Sequence, residues 1–185
     1  MIHKEFACYH SLVFRAAFNS RSNFVESQTN TYRMKDTDGK VMQLLMQWLY
    51  TQKLGLAPYS KEPATSTEIC RQNMSLALRL WVLGDMLIIP KLQNDVSDYI
   101  WAVQDTSRIA WTPSIRYVYE NTVPGSPLRR LFVMFCARNM GKPFYVEHSK
   151  QFPKEMLLEL ADYFTQYNHH ITSKLQGERK SFILR

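Results

Sequence analysis

A helix-dominated α+β fold, a small sheet with helices packed around it and a helical C-terminal extension behind, is what this 185-residue sequence predicts. Three observations carry that expectation. Apolar residues recur at i, i+3, i+4 and i+7 in stretch after stretch, the mark of helices with one buried face. One stretch, Thr29 to Lys35, alternates instead, with Tyr32 and Met34 on one face, which predicts a strand. Turn-forming residues at Pro58–Thr67, Pro90 and Val123–Pro127 cut the chain into short elements.

In order, residues 3–19 predict a helix or two short helical pieces, with Phe6, Val13, Phe14, Ala17 and Phe18 inward. Residues 23–27 predict a turn around an anchoring Phe24. After the strand at 29–35, Val41, Leu44, Leu45, Trp48 and Leu49 form one stripe, with Asp38 as N-cap. Met42 and Met46 add a second apolar row, so this helix is expected to touch neighbours on more than one side. Leu54 to Ala57 reads as a second short strand. A helix capped by Ser66 or Thr67 carries Leu76, Leu80, Leu83 and Leu87, with Trp81 nearby. Pro90 then opens another, with Leu92, Val96, Tyr99, Ile100 and Val103 on its face. From about Asp105 the texture changes. Thr112-Pro113 starts a short helix with Ile115, Val118 and Tyr119. Ser126 and Pro127 cap and open one with Leu128, Leu131, Phe132, Phe135 and Cys136. Gly141 to Phe152 reads as an irregular connection. A last helix after Pro153 turns Leu157, Leu160, Ala161, Phe164 and Tyr167 inward, and the tail from Gly177 is expected to be loose.

Composition narrows the function. Hydrophobic residues make up 45% and aromatics 13%, enough for a core. No run approaches the ~20 apolar residues of a membrane helix, and the start MIHKEFACYH lacks the apolar stretch of a secretory signal. Cys8, Cys70 and Cys136 are odd in number and set in apolar helical patterns, which predicts buried thiols in an intracellular protein of nucleus or cytoplasm. The net charge of +7 is uneven: residues 1–105 hold 11 Lys/Arg against 10 Asp/Glu, and residues 106–185 hold 12 against 6. That basic excess defines an alternative, a nucleic-acid-associated or transcription-related protein acting through its C-terminal part. The basic residues are mostly scattered singly, which favours a solvated surface over a nucleic-acid site.

Catalytic, metal-binding and cofactor-binding residues are expected to be none. Cys8 and His10 have no CxxC or HExxH companion, His169 and His170 are adjacent and diverge on a helix, and His3 and His148 stand alone. Neither phosphate-cradling glycine motif occurs, nor a GxSxG elbow. Asp36, Asp38, Glu155 and Glu159 read as caps and solvated faces. The cysteines lie where desolvation disfavours a thiolate.

The order of these signals resembles the BTB/POZ domain, in its fungal branch, over roughly residues 1–104. The resemblance rests on Ile2-His3-Lys4, on Ser11-Leu12-Val13-Phe14, on Phe24-Val25-Glu26-Ser27, on Trp48-Leu49-Tyr50-Thr51, on Leu80 to Asp85 and on Ile89 to Asp95. Residues 117–130 also resemble the helical extension of fungal members. The resemblance implies a non-enzymatic protein–protein interaction module that homodimerises, serves in transcriptional regulation, or recruits substrates to a cullin-type ubiquitin ligase. It makes His3, Ser11, Phe14, Phe24, Trp48 and Tyr50 motif residues that hold the fold together. Two departures stand out. The family's first strands, expected before His3, do not precede it in this chain. Cullin-binding members place hydrophobic-x-Glu on the Trp-Leu-Tyr-Thr helix, where this chain has Met42-Gln43-Leu44, so the hydrophobic anchor is kept and the carboxylate lost. Met42, Gln43 and Met46 are therefore the candidate partner-binding residues. The expected organisation is a BTB/POZ-like domain over 1–104, a helical extension over 105–176 whose apolar stripes need burial, and a tail over 177–185.

Overall fold

The computed structural model describes residues 2–19, 24–34, 37–57, 65–107 and 112–179, and the chain divides into two compact units, residues 1–107 and 108–185.

In the first unit, α1 (Lys4–His10) and α2 (Leu12–Ala17) meet at a single residue. Ser11 takes an extended conformation, its N–H closes α1 on the Ala7 carbonyl, and its hydroxyl accepts the Phe14 N–H that opens α2. One serine thus ends one helix and caps the next. The short α3 (Val25–Thr29) stops at Asn30, whose left-handed backbone breaks the helical path. Asp38 caps α4 (Gly39–Thr51) through the Lys40 N–H, and Gln52, also left-handed, ends it. The buried face of α4 is the predicted stripe of Val41, Leu44, Leu45, Trp48 and Leu49.

Two longer helices, α5 (Thr65–Met86) and α6 (Pro90–Ser107), complete the unit. The link between them is a Schellman turn: Ile89 N–H reaches back to the Gly84 carbonyl at 2.8 Å, and Ile88 N–H to Asp85 at 3.1 Å. Ile88 sits in the left-handed region at φ 51, a place usually given to glycine. The buried flanking residues Leu87 and Ile89 hold it there. Gly84 lets the two helices approach, since a Cβ there would lie 3.3 Å from Leu92 and Gln93 side-chain atoms.

The second unit contains α7 (Thr112–Asn121), α8 (Pro127–Asn139), α9 (Lys142–Glu147), a 3-10 turn over Ser149–Gln151 and α10 (Lys154–Arg179). Its core joins Ile115, Val118, Leu128, Phe132, Val133, Phe135, Cys136, Phe152, Met156 and Leu160. Arg129 is buried at the turn between α7 and α8. It donates to the carbonyls of Tyr119 and Thr122 and to the Thr122 hydroxyl, and its guanidinium lies 4.4 Å over the Tyr119 ring. Those carbonyls are at the C-terminal end of α7, where a cation meets the negative end of the helix.

Several expectations are corrected. The small sheet does not form: among the described residues there is no strand. Residues 31–34 and 54–57 run without helix or turn, but neither finds a second strand, and a lone strand cannot satisfy its own main chain. Phe6 and Phe24 are exposed instead of inward, and the turn expected at 23–27 is the short α3. The connection 141–152 is largely helical. Ser126 precedes α8, yet its hydroxyl makes no capping bond and is buried without a partner. On α10 the buried row is Met156 and Leu160, while Leu157, Ala161 and Phe164 face outward. That helix carries two adjacent apolar rows, and packing selects one of them. It continues through Gly177 to Arg179. Of the loop expected at 58–67, residues 65–67 are the first residues of α5, while residues 58–64, the side chains of Ser66, Thr67 and Tyr167, and the end of the tail lie outside the described residues.

Candidate partner-binding groove

The apolar circumference of α4 exceeds what its buried stripe uses. Met42 and Met46, one turn apart, are half-buried on a second side of the helix and open into a groove of about 430 Å³. Phe14 from α2, Phe18 just after it, Ala7 from α1, Ile2, and Asn30, Thr31, Tyr32 and Met34 supply the other walls. The rings are arranged edge to face: Phe14 and Tyr32 are 5.1 Å apart at 87°. Lys4 is the single formal charge among the lining residues. Its Nζ lies 5.7 Å from the Phe18 ring and 3.5 Å from the Asn30 side-chain oxygen. Gln43, beside the two methionines, is exposed and lies outside the lining. Leu44 is 8% exposed and faces the core.

Behind the groove, polar side chains hold the helices in register. The Ser11 hydroxyl is fully buried and donates to the Leu87 carbonyl at 2.6 Å, tying the α1–α2 junction to the end of α5. Trp48 is fully buried and donates from Nε1 to Asp95 of α6 at 2.8 Å; Lys91 pairs with the same carboxylate and lies over the indole. Tyr50 accepts the His3 N–H at 2.9 Å, with the His3 and Phe6 rings against its own. His10 packs on Trp48 and meets the Gln52 side-chain nitrogen at 3.2 Å. That nitrogen also donates to the Trp48 carbonyl, so the amide is held donor-inward and the facing His10 nitrogen must accept. Burial and the charge of Lys91 hold the His10 pKa below its ordinary value, in agreement with a neutral ring.

The second unit has a cleft of its own, about 530 Å³, between Tyr119, Arg129 and residues 150–153. Arg116 and Glu120 pair on its rim, and the Tyr119 hydroxyl donates to Glu159. Arg129 is committed to the α7 carbonyls, so this cleft is a by-product of a helix clamp. Burial pushes the Cys136 thiol up to about 12 and raises Cys70 as well, which keeps both in the unreactive thiol form. Among the described residues no group of three His, Cys, Asp or Glu is placed to hold a metal, and no helix is long and apolar enough to cross a membrane.

Sequence reasoning singled out Met42 and Met46 but missed Phe18, Tyr32 and Lys4 as their neighbours, and it missed Arg129 altogether. The alternation of Tyr32 and Met34 was the one available signal for the groove. For Arg129 no signal existed beyond a basic residue on an apolar stripe.

The first unit thus presents an apolar groove between short helices, over a core cross-linked by buried polar contacts. The pattern of the BTB/POZ domain matches residues 1–100, more than half of the chain, and the chain belongs to that family of protein–protein interaction modules. No curated protein and no solved structure matches it.

Proposed function

We propose that this chain is a non-enzymatic BTB/POZ module that recruits a protein partner through the Met42–Met46 side of α4. The observation that carries this reading is the pair of methionines left half-open on a helix whose other face is core. Flexible thioethers suit a surface that must adapt to a partner. Light scattering over a concentration series tests it first. The expected mass is that of one 21.8 kDa chain, with the face free for a different protein. A stable dimer broken by Met42→Ala would turn the reading to self-association.

Adaptor function at a cullin-type ubiquitin ligase is the second reading, favoured by Met42 as an apolar anchor. Leu44 weighs against it, because the position expected to carry the contacting carboxylate is in the core. Capture of a purified cullin by the wild type and not by Met42→Ala would support it.

A further inference from the structure

We infer that the outer row of α10 receives an amphipathic helix of a partner protein in a parallel, two-stranded coiled coil, and that the residues flanking the partner's seam are acidic. The row belongs to the second unit, so the inference goes beyond the reading of α4.

α10 is longer than the core that holds it. It runs from Lys154 to Arg179, about 39 Å of helix, yet among its described side chains only Met156 and Leu160 are buried. From Ala161 to Gln166 every residue but Tyr163 is exposed. The sequence beyond, with Asn168, Ile171, Thr172 and Ser173, is made of weak helix formers. Propensity alone leaves such a helix marginal in water, and burial of a face is what stabilises it.

The row left over has the spacing of a coiled-coil seam. Leu157, Ala161, Phe164, Asn168, Ile171 and Leu175 follow at steps of four, three, four, three and four, the d and a positions of a heptad repeat. From Leu157 to Leu175 the seam is about 27 Å long. Its two described d positions hold large apolar side chains in water, Leu157 at 44% and Phe164 at 40% exposure. A row confined to a and d is the narrow stripe that a second helix covers, whereas a globular surface takes a wider one.

Asn168 stands at an a position. A single Asn there costs stability and fixes a parallel, in-register pair, since its amide needs a polar residue at the same level. Charge beside the seam then selects the occupant. The e and g positions from Leu158 to Arg179 include two charged residues, Lys174 and Arg179, and both are basic. In the register that Asn168 sets, Lys174 of one copy would stand against Arg179 of another, which disfavours self-pairing. A helix with Glu at those places, Leu or Ile along its seam and Asn at one a position is complementary.

The test uses the full chain and two synthetic peptides of about four heptads each, both with Leu and Ile along the seam and one Asn at an a position. One peptide has Glu at every e and g position, the other Lys. Fluorescence anisotropy should show the Glu peptide binding, more weakly as salt is raised, and the Lys peptide binding about tenfold less tightly or worse. Phe164→Glu should abolish binding with the thermal melt unchanged, and Gln166→Glu, off the seam, should leave binding intact. Lys174→Glu combined with Arg179→Glu should reverse the preference between the peptides. A Glu peptide that does not bind, or equal binding of the two, would overturn the inference. So would a melting temperature lowered by Phe164→Glu, which would show the row covered within the chain, or a dimer of the chain dispersed by that substitution.

Discussion

At Ser11 the hydroxyl both donates to the Leu87 carbonyl and accepts from the Phe14 N–H, with no exposure to water. Ser11→Ala leaves both backbone groups unpaired in the core, and the expected loss is about 2 kcal/mol in a urea titration of unfolding. His10 gives a pH dependence of known sign. Its folded pKa is depressed, so below the unfolded value of about 6.5 the unfolded chain binds more protons than the folded one. The stability it contributes is therefore fully present above that pH and is lost as the pH falls through the window between the two values. Melting temperatures from pH 7.5 to 5 should fall, and His10→Gln should flatten that part of the slope. Ser11 was legible as part of a Ser-x-x-Phe step. The tautomer of His10 was not, because it is set by Gln52, 42 residues away.

The α5–α6 link is where an element departs from its own preferences. Ile88 adopts a left-handed backbone, which costs a β-branched residue about 1–2 kcal/mol relative to glycine, and its side chain is nearly half exposed. Ile88→Gly should raise stability by about 1 kcal/mol by chemical denaturation. The opposite outcome is expected at Gly84. Gly84→Val pushes branched carbons into Leu92 and Gln93, and should lower the melting temperature through a loss of about 2 kcal/mol. Helix positions were legible from periodicity because each buried stripe repeats within a few residues. The rows chosen on α10 were not, since Met156–Leu160 and Leu157–Phe164 are both apolar and neighbours decide between them. The sheet failed for a related reason. Alternation at Tyr32 and Met34 describes a surface shape that a strand shares with any straight segment lying along a groove, and only a partner strand makes it a ladder.

As a whole the chain is two units, each with its own buried core. Residues 1–107 produced alone should melt in one cooperative step. A gradual, non-cooperative loss of helix would show that the first unit depends on residues 108–185. The family match ends at residue 100, inside α6 and short of the division at Ser107, so the module and the structural unit nearly coincide.

Local sequence was sufficient for what is decided within one or two helical turns: the stripe of α4, the cap at Asp38, Pro90 as the start of α6 and Pro127 as the start of α8. The ordered steps from Ser11–Phe14 to Ile89–Asp95 were sufficient for the family. Tertiary structure alone decided what depends on residues far apart in the chain. It placed Met42 and Met46 opposite Tyr32 and Phe18, sent Leu44 into the core, and committed Arg129 to a helix end. The physical reason is the same in each case. A repeat spacing reports which residues share a face, whereas the meaning of that face is set by what long-range packing brings against it or leaves open.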